Sequence, residues 1–420
     1  MTDKQIYAAI EAADHEVRLV IGEFFNTRFN IIKVERVPCS GLSYNGITDQ
    51  QALIGSIKQA IASAKKMVGA SVQQVILAIP AFNLKRISLK STVDIEGIDG
   101  TVTIQDVRNA IKKAEAVNIG NDSALIQTVC VKYTVNGMTT RRIPLGEKCS
   151  QLIVDIDLLC ADRKFAYDLV NCVEKAGLKV MDIFADIYAV GKEAALFEQS
   201  VDCQVIVLKV ERDATTLGLL YKGRFAASTI LPMGLGNIAN AAVEKYGINM
   251  KNAIELIKYS ARLDQTVCSS NIIHIWNDNG ENRTISEQEL VDCIRPNIET
   301  WLNAITETCE GILQAGETTV IITGEGGETI GLENLLSKRL NVEVRDYIPE
   351  TLGGRNAALT ACLGLFYAYQ DRLPIIGQTE NSLDLDAFIK NVSYRDRKVE
   401  TTKEDTLTNK LKGLFLDGKK

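Results

Sequence analysis

The sequence is short of histidine, of basic excess and of long apolar runs, and each shortage removes a class of function. Only two histidines occur in 420 residues, His15 and His274. They are too few and too far apart for a Cys/His zinc cluster, and they argue against a histidine general base or Ser-His chemistry. His274 lies in the strand-like run NIIHIW and reads as a packed or half-exposed strand residue. Lysine and arginine number 47 against 53 acidic residues, a formal net charge of -6. No chain-wide basic surface therefore advertises nucleic-acid binding, and any basic patch is local. No uncharged apolar run reaches the roughly 18 residues of a membrane span, and MTDKQIYAAIEAADHE has no apolar signal-peptide core. A cytoplasmic chain is expected. The ten cysteines contain no C-x-x-C pair, which suits reduced, buried thiols.

What is present is an ordinary globular balance, 46% hydrophobic and 24% charged, in a chain long enough for two to four domains. Strand-like segments at about 5–11, 16–24 and 29–37 predict a β-meander. Thr48 with Gln51 forms a capping-box pattern, and Ile54, Ile57 and Ile61 recur at helical spacing to about residue 67. Strand VQQVILAIP follows. The second half repeats the layout, with strands at 204–210, 215–221 and 224–231, a turn at Lys222-Gly223, and a helix near 237–246. The repetition predicts a duplicated fold.

Residues 84–160 interrupt this plan with short alternating strands, a helix at about 104–117 and a closing strand SQLIVDIDLLC, and read as an inserted α+β subdomain. Ser286 and Glu289 open a helix to about 314 that contains Pro296; strand TTVIITGEG leads into a helix at 332–339, and a last apolar helix is expected at about 352–370. From 371 the composition turns polar and charged, which predicts a flexible linker. At the end, Leu407, Leu411, Leu414 and Phe415 fall on one helical face, and Lys410, Lys412, Lys419 and Lys420 oppose only Asp417. This pattern fits a helix lying on an anionic lipid surface, or else a disordered cationic tail.

In order and spacing, the stretches NIIKVERVPCSGLSYNGITDQQAL, VILAIP, VEKAGLKVMDIFADIYA, MGLGNIANAAVEKYGI, AIELIKYSA and VIITGEGGETIGLENLLSKRLNVEV resemble the bacterial cell-division FtsA family of the actin-like ATPase superfamily. The resemblance implies an α/β chain with a duplicated actin-like, ribonuclease H-like fold: two halves around a nucleotide cleft, an inserted subdomain and a C-terminal amphipathic helix. The expected division is 1–83, 161–200 and 352–371 for the first half, 84–160 for the insert, and 201–233 with 318–351 for the second half. Residues 234–317 would be its small subdomain, 372–405 the linker and 406–420 the membrane helix.

The family holds Mg-ATP between two glycine-rich loops of the form D-I-G-T and D-I-G-G-G-T. Glycines let backbone N–H groups approach the phosphates, and an aspartate at each loop organises Mg²⁺ and water. Here the first loop reads Glu11-Ala12-Ala13-Asp14 and the second Lys209-Val210-Glu211-Arg212-Asp213-Ala214. Both metal-organising aspartates are replaced, and two carboxylates, Glu211 and Asp213, stand where phosphates would be faced. Glu255 and Lys258 match the family's helix over the ribose and base. Thr323-Gly324-Glu325-Gly326 matches the third loop, and Gly234 and Gly236 complete the cleft. Lys209 and Arg212 could neutralise phosphates in place of Mg²⁺, or pair with Glu211, Asp213 or Glu11 and close the cleft. We expect no catalytic residue, no resident metal and no nucleotide cofactor, with ATP and Mg²⁺ as the alternative. The resemblance further implies FtsZ as partner, its C-terminal tail bound on residues 234–317. There the family's I-E-P-R appears as Ile294-Arg295-Pro296-Asn297, leaving Arg295 and Asn297 as candidates. It implies self-association into protofilaments, a location on the cytoplasmic face of the cell membrane at the division site, and no nucleic acid. A working ATPase with rebuilt loops, or a PilM-like pilus assembly platform, are the alternatives.

Overall fold

A computed structural model of the protein describes residues 4–26, 28–95, 99–278, 280–377 and 380–390. The expected amphipathic helix at 406–420, with Leu407, Lys410, Leu411, Lys412, Leu414 and Phe415, lies outside the described residues.

Strands β1 (Gln5–Ala12), β2 (Glu16–Phe25) and β3 (Arg28–Pro38) form an antiparallel meander. β1 is buried from Ile6 to Ala12 because helices cover both faces of its sheet, which is why it reads as an apolar run rather than an alternating one. A small hairpin, β4 (Leu42–Ser43) and β5 (Gly46–Ile47), precedes α1 (Gln50–Val68). The cap of α1 differs from the sequence reading: Asp49 accepts from the N–H groups of Gln51 and Ala52, while the Thr48 hydroxyl donates to the Ser40 carbonyl. A carboxylate beside the helix N-terminus outcompetes a hydroxyl one residue earlier. β6 (Gln74–Ile79) then runs parallel to β1.

The insert follows: β7 (Lys85–Asp94), α2 (Ile104–Glu115), β8 (Ser123–Val135), β9 (Met138–Thr140) and β10 (Gln151–Asp162), with sheet order β7-β10-β8-β9 and a core of its own around Val107, Leu152 and Ile156. The chain returns through α3 (Arg163–Lys175) to β11 (Lys179–Ala185), completing a five-stranded sheet in the order β11-β6-β1-β2-β3. α4 (Asp186–Glu193) and α5 (Leu196–Gln199) cross to the second half.

There β12 (Gln204–Val210), β13 (Thr215–Tyr221) and β14 (Arg224–Leu231) repeat the meander. α6 (Leu235–Tyr246), α7 (Met250–Ser260), the hairpin β15 (Ile272–Asp278) and β16 (Glu281–Ser286), and α8 (Glu287–Ala315) form the helical layer. In β15, His274 stacks on Trp276 at 5.7 Å between ring centres. β17 (Thr318–Thr323), α9 (Leu332–Leu340) and β18 (Glu343–Asp346) finish a second sheet, ordered β14-β13-β12-β17-β18. The two sheets match strand for strand, two parallel strands added to an antiparallel meander, so the fold is duplicated.

Two C-terminal expectations are corrected. The last helix, α10 (Thr360–Ile376), begins eight residues later than the apolar composition suggested and runs past 371. The stretch before it turns instead, with Gly353 at φ 85°. α10 lies so close to α4 that a Cβ at Gly364 would stand 1.8 Å from the Ala189 carbonyl oxygen, so only glycine fits. Residues 380–390, expected to be flexible linker, are folded onto the first sheet. Asn381 and Ser382 side chains accept from the Ile6 and Ala8 N–H groups, the Ser382 carbonyl accepts from Gln73, and Leu383 is buried beside Val72. Their polarity serves backbone hydrogen bonds at the sheet end, which composition alone does not distinguish from a linker.

Candidate functional site

The C-terminal ends of β1 and β12 meet at the cleft between the halves, bringing Glu11 from the first loop beside Lys209 from the second. Lys209 Nζ donates to Glu11 Oε1 and, at 2.8 Å, to Asp186 at the start of α4. Arg18 of β2, fully buried, holds Glu211 with two bonds of 2.8 and 2.6 Å, donates to Glu11 at 3.2 Å and reaches Glu16 at 2.6 Å. Arg36 of β3 closes on Glu16 from outside at 2.7 Å. This forked arginine geometry is the strong form of carboxylate pairing.

The turn between β1 and β2 supplies a second seam. His15 is hydrogen-bonded through Nδ1 to Asp14 at 2.6 Å, and its Nε2 makes an ion contact with Glu325 Oε2 at 3.2 Å. Glu325 also takes Arg212 at 3.1 Å. The other Asp14 oxygen accepts from the backbone N–H groups of Asp213 and Ala214, at 2.7 and 3.2 Å. Those donors belong to the loop that the family uses to cradle phosphate, and here a carboxylate of the opposite half occupies them.

The electrostatics follow from this pairing. Burial opposes a charged imidazole, but the carboxylates of Asp14 and Glu325 outweigh it and raise His15 to about 9. Burial likewise opposes ionised Glu16, yet Arg18, Arg36 and His15 hold it down to about 2. Glu325 lies well below the usual carboxylate range, burial again being overcome by His15 and Arg212. Burial disfavours charge on Lys209, and Asp186, Glu11 and Glu211 overcome it and push its ammonium up. In Glu11 the effect of burial is outweighed by Lys209 and Arg18, whereas in Glu211 burial prevails and pushes the carboxyl up against the pull of Arg18. Five cations, His15, Arg18, Arg36, Lys209 and Arg212, are interleaved with six carboxylates, Glu11, Asp14, Glu16, Asp186, Glu211 and Glu325. No surplus of positive charge is left for a polyanion.

The remaining cleft residues are placed as follows. Ala13 is buried in the turn, its N–H donating to the Glu16 carbonyl. Asp213 is exposed and, unlike Arg212 and Lys209, enters none of the ion pairs found among the described residues. Gly234 and Gly236 let the N-terminus of α6 press on the second loop: the Leu235 and Gly236 N–H groups donate to the Glu211 and Arg212 carbonyls, and a Cβ at Gly234 would stand 2.4 Å from Glu211 O. Gly324, at φ 85°, and Gly326 pack against Val210 in the same manner. Lys258 is buried and pairs with Glu328 at 3.3 Å, whereas Glu255 points outward toward Lys251. The two family-matched positions on α7 thus do not act together. On α8, Arg295 is half-exposed near the carbonyls of Gln265 and Thr266, and Asn297 donates to the Asn237 carbonyl.

A triphosphate with Mg²⁺ does not fit this arrangement. The loop N–H groups are taken by Asp14 and the positions facing them are filled by paired side chains. Asp14, His15 and Glu211 bring donor atoms within 4.8 Å of one another, but each is already committed to His15, backbone N–H groups or Arg18. Five members of the network, His15, Glu16, Arg18, Arg36 and Asp186, escape a reading that looks only at loop motifs. Arg18 and Glu16 do leave a trace: they put charge into the buried, otherwise apolar first part, EVRLVIG, of β2.

Residues 83–160 match the family described as the SHS2 domain inserted in FTSA. Over 371 residues the chain is 22% identical to the cell division protein FtsA of Bacillus subtilis strain 168, covering 87% of this chain and 83% of that one. Over 384 residues it is 23% identical to the FtsA of Neisseria meningitidis serogroup B, covering 88% and 91%. Among solved structures, a PilM-PilN type IV pilus biogenesis complex matches with TM-score 0.57 and 16% identity over 86% of this chain and 97% of that chain. MreB5 of Spiroplasma citri bound to ADP matches with TM-score 0.52 and 11% identity over 89% and 99%. The structural likenesses show an actin-like fold, and the insert together with the chain-long matches makes this chain similar to the FtsA proteins of bacterial cell division.

Proposed function

We propose that the chain is a non-hydrolysing actin-like scaffold of bacterial cell division, which anchors FtsZ polymers to the cytoplasmic face of the membrane and associates with copies of itself. The observation that carries the reading is the ion-pair lattice across the cleft. Where an actin-like ATPase uses Mg-ATP to join its halves, this chain uses Arg18–Glu211, Lys209–Glu11 and Asp14 on the second loop's N–H groups. A fold kept in detail while its phosphate loops are rebuilt as a clasp suits a binding role better than turnover.

In this reading residues 406–420 supply the membrane contact, with leucines and Phe415 inserted and lysines attracted to anionic headgroups at about 1 kcal/mol each. Arg295 and Asn297 on α8 lie on the face that takes the FtsZ tail. Co-flotation of FtsZ with phosphatidylglycerol vesicles tests both assignments. The full chain should carry FtsZ to the vesicles, truncation after Thr406 should abolish flotation of both proteins, and Arg295→Glu should release FtsZ alone. Flotation unchanged by the truncation, or FtsZ capture unchanged by Arg295→Glu, contradicts the corresponding assignment.

A further inference from the structure

Away from the cleft, the insert sheet and the second half line a half-open cavity of about 780 Å³ whose lining is strongly basic. Its floor is the sheet face opposite α2. Ser91 donates to the Ala110 carbonyl of α2, so strand alternation turns Lys90 to the other face. Lys90, Asp155 and Lys132 are neighbours across β7, β10 and β8 in register, and the two lysines share Asp155 at 3.9 and 3.2 Å. The opposite wall is the β13–β14 hairpin. Its turn residues Lys222 and Gly223 have φ of 54° and 69°, the tight two-residue turn that projects Lys222 and Arg224.

Arg141, from the loop after β9, closes the rim. A Cβ at Gly223 would stand 2.2 Å from its guanidinium, so the glycine lets the arginine lie flat on the hairpin. Arg224 is tied to Asp157 at 3.3 Å, but among the described residues neither Arg141 nor Lys222 has a carboxylate partner. Five cations thus converge on one cavity lined by a single carboxylate, Asp155, in a chain whose formal charge is -6. Lysines and arginines brought together from four separate segments repel one another unless an anion joins them.

We propose that this cavity binds a small molecule bearing clustered phosphate groups, bridging the insert to the second half. Its volume is that of a metabolite pocket, and arginine beside lysine is the donor set that suits phosphate oxygens. The site shares no residue with the clasped cleft, so it stands whether or not the cleft takes nucleotide.

Pyrophosphate titrated calorimetrically into the full chain is the probe. Binding is expected, falling with added salt and weakened about tenfold or more by Arg141→Glu or Lys222→Glu, both at the cavity rim and away from the core. Lys251→Glu, an exposed charge on α7 that does not line the cavity, should leave it unchanged. Phosphatidylglycerol vesicles separate the sources of phosphate: if Arg141→Glu weakens vesicle binding as well, the ligand is a lipid headgroup, and if it weakens pyrophosphate binding alone, the ligand is soluble. Absence of heat with pyrophosphate, or binding unaffected by both rim variants, overturns the proposal. So does a preference for single-stranded nucleic acid over pyrophosphate through the same residues.

Discussion

Arg18 carries much of the electrostatic burden of the clasp. Its guanidinium is wholly buried and satisfies Glu11, Glu16 and Glu211 together. Removing one partner of such a group strands the others in low dielectric. Arg18→Met should therefore lower stability by roughly 3–5 kcal/mol, measured by urea unfolding, and adding Glu211→Gln should recover part of that loss. A single variant as stable as the parent would mean that the network contributes little to holding the halves together. His15 gives the lattice a pH signature. Its pKa rises on folding from 6.5 to about 9, so its contribution is fully present below 6.5 and is lost as pH rises through 9. Glu16 falls from 4.5 to about 2, so its contribution is present above 4.5 and is lost as pH falls through 2. Unfolding midpoints should decline between pH 6.5 and 9, and His15→Asn should flatten that limb. Identical alkaline slopes for the two proteins would remove His15 from the account.

At the scale of elements, helix α1 separates two readings of one short segment. The capping pattern in the sequence favours Thr48, whereas the structure gives the cap to Asp49. Asp49→Ala should cost about 1 kcal/mol in thermal or urea unfolding and Thr48→Ala less than half as much. The reverse order would restore the sequence reading. The second capping box was legible as it stands: Ser286 and Glu289 bond to each other's N–H groups at the start of α8. The meander strands were legible for a different reason, since long apolar runs ending in Asn and Gly turns admit few alternatives. The start of α10 was not, because LGGRN is followed by an apolar run with no cap to mark its boundary. The folding of 380–390 was equally hidden, since Asn381 and Ser382 act through hydrogen bonds to a strand more than 370 residues away.

At the scale of the whole molecule, the duplication could be read from the repeated strand pattern, and both sheets have the order it implies. The altered loops could be read too, and so could the choice they posed: cations facing phosphates, or cations paired across the cleft. What the sequence could not supply was the partner set. Lys209 finds Asp186 as well as Glu11, and Glu211 is claimed by Arg18, contacts created by docking one half on the other, while Arg212 finds Glu325 from a distant segment of its own half. Pairing across so many segments makes the cleft a cooperative clasp, whose opening for a nucleotide would expose several buried charges at once.

Calorimetric titration with ATP, run with Mg²⁺ and again with EDTA beside a phosphate-release assay, tests that claim most directly. The clasp predicts no saturable heat attributable to the cleft and no phosphate release, so that any residual ATP binding is indifferent to Mg²⁺ and is removed by Arg141→Glu. Micromolar Mg-dependent binding that survives Arg141→Glu, with release of phosphate, would contradict it and make the chain a working ATPase.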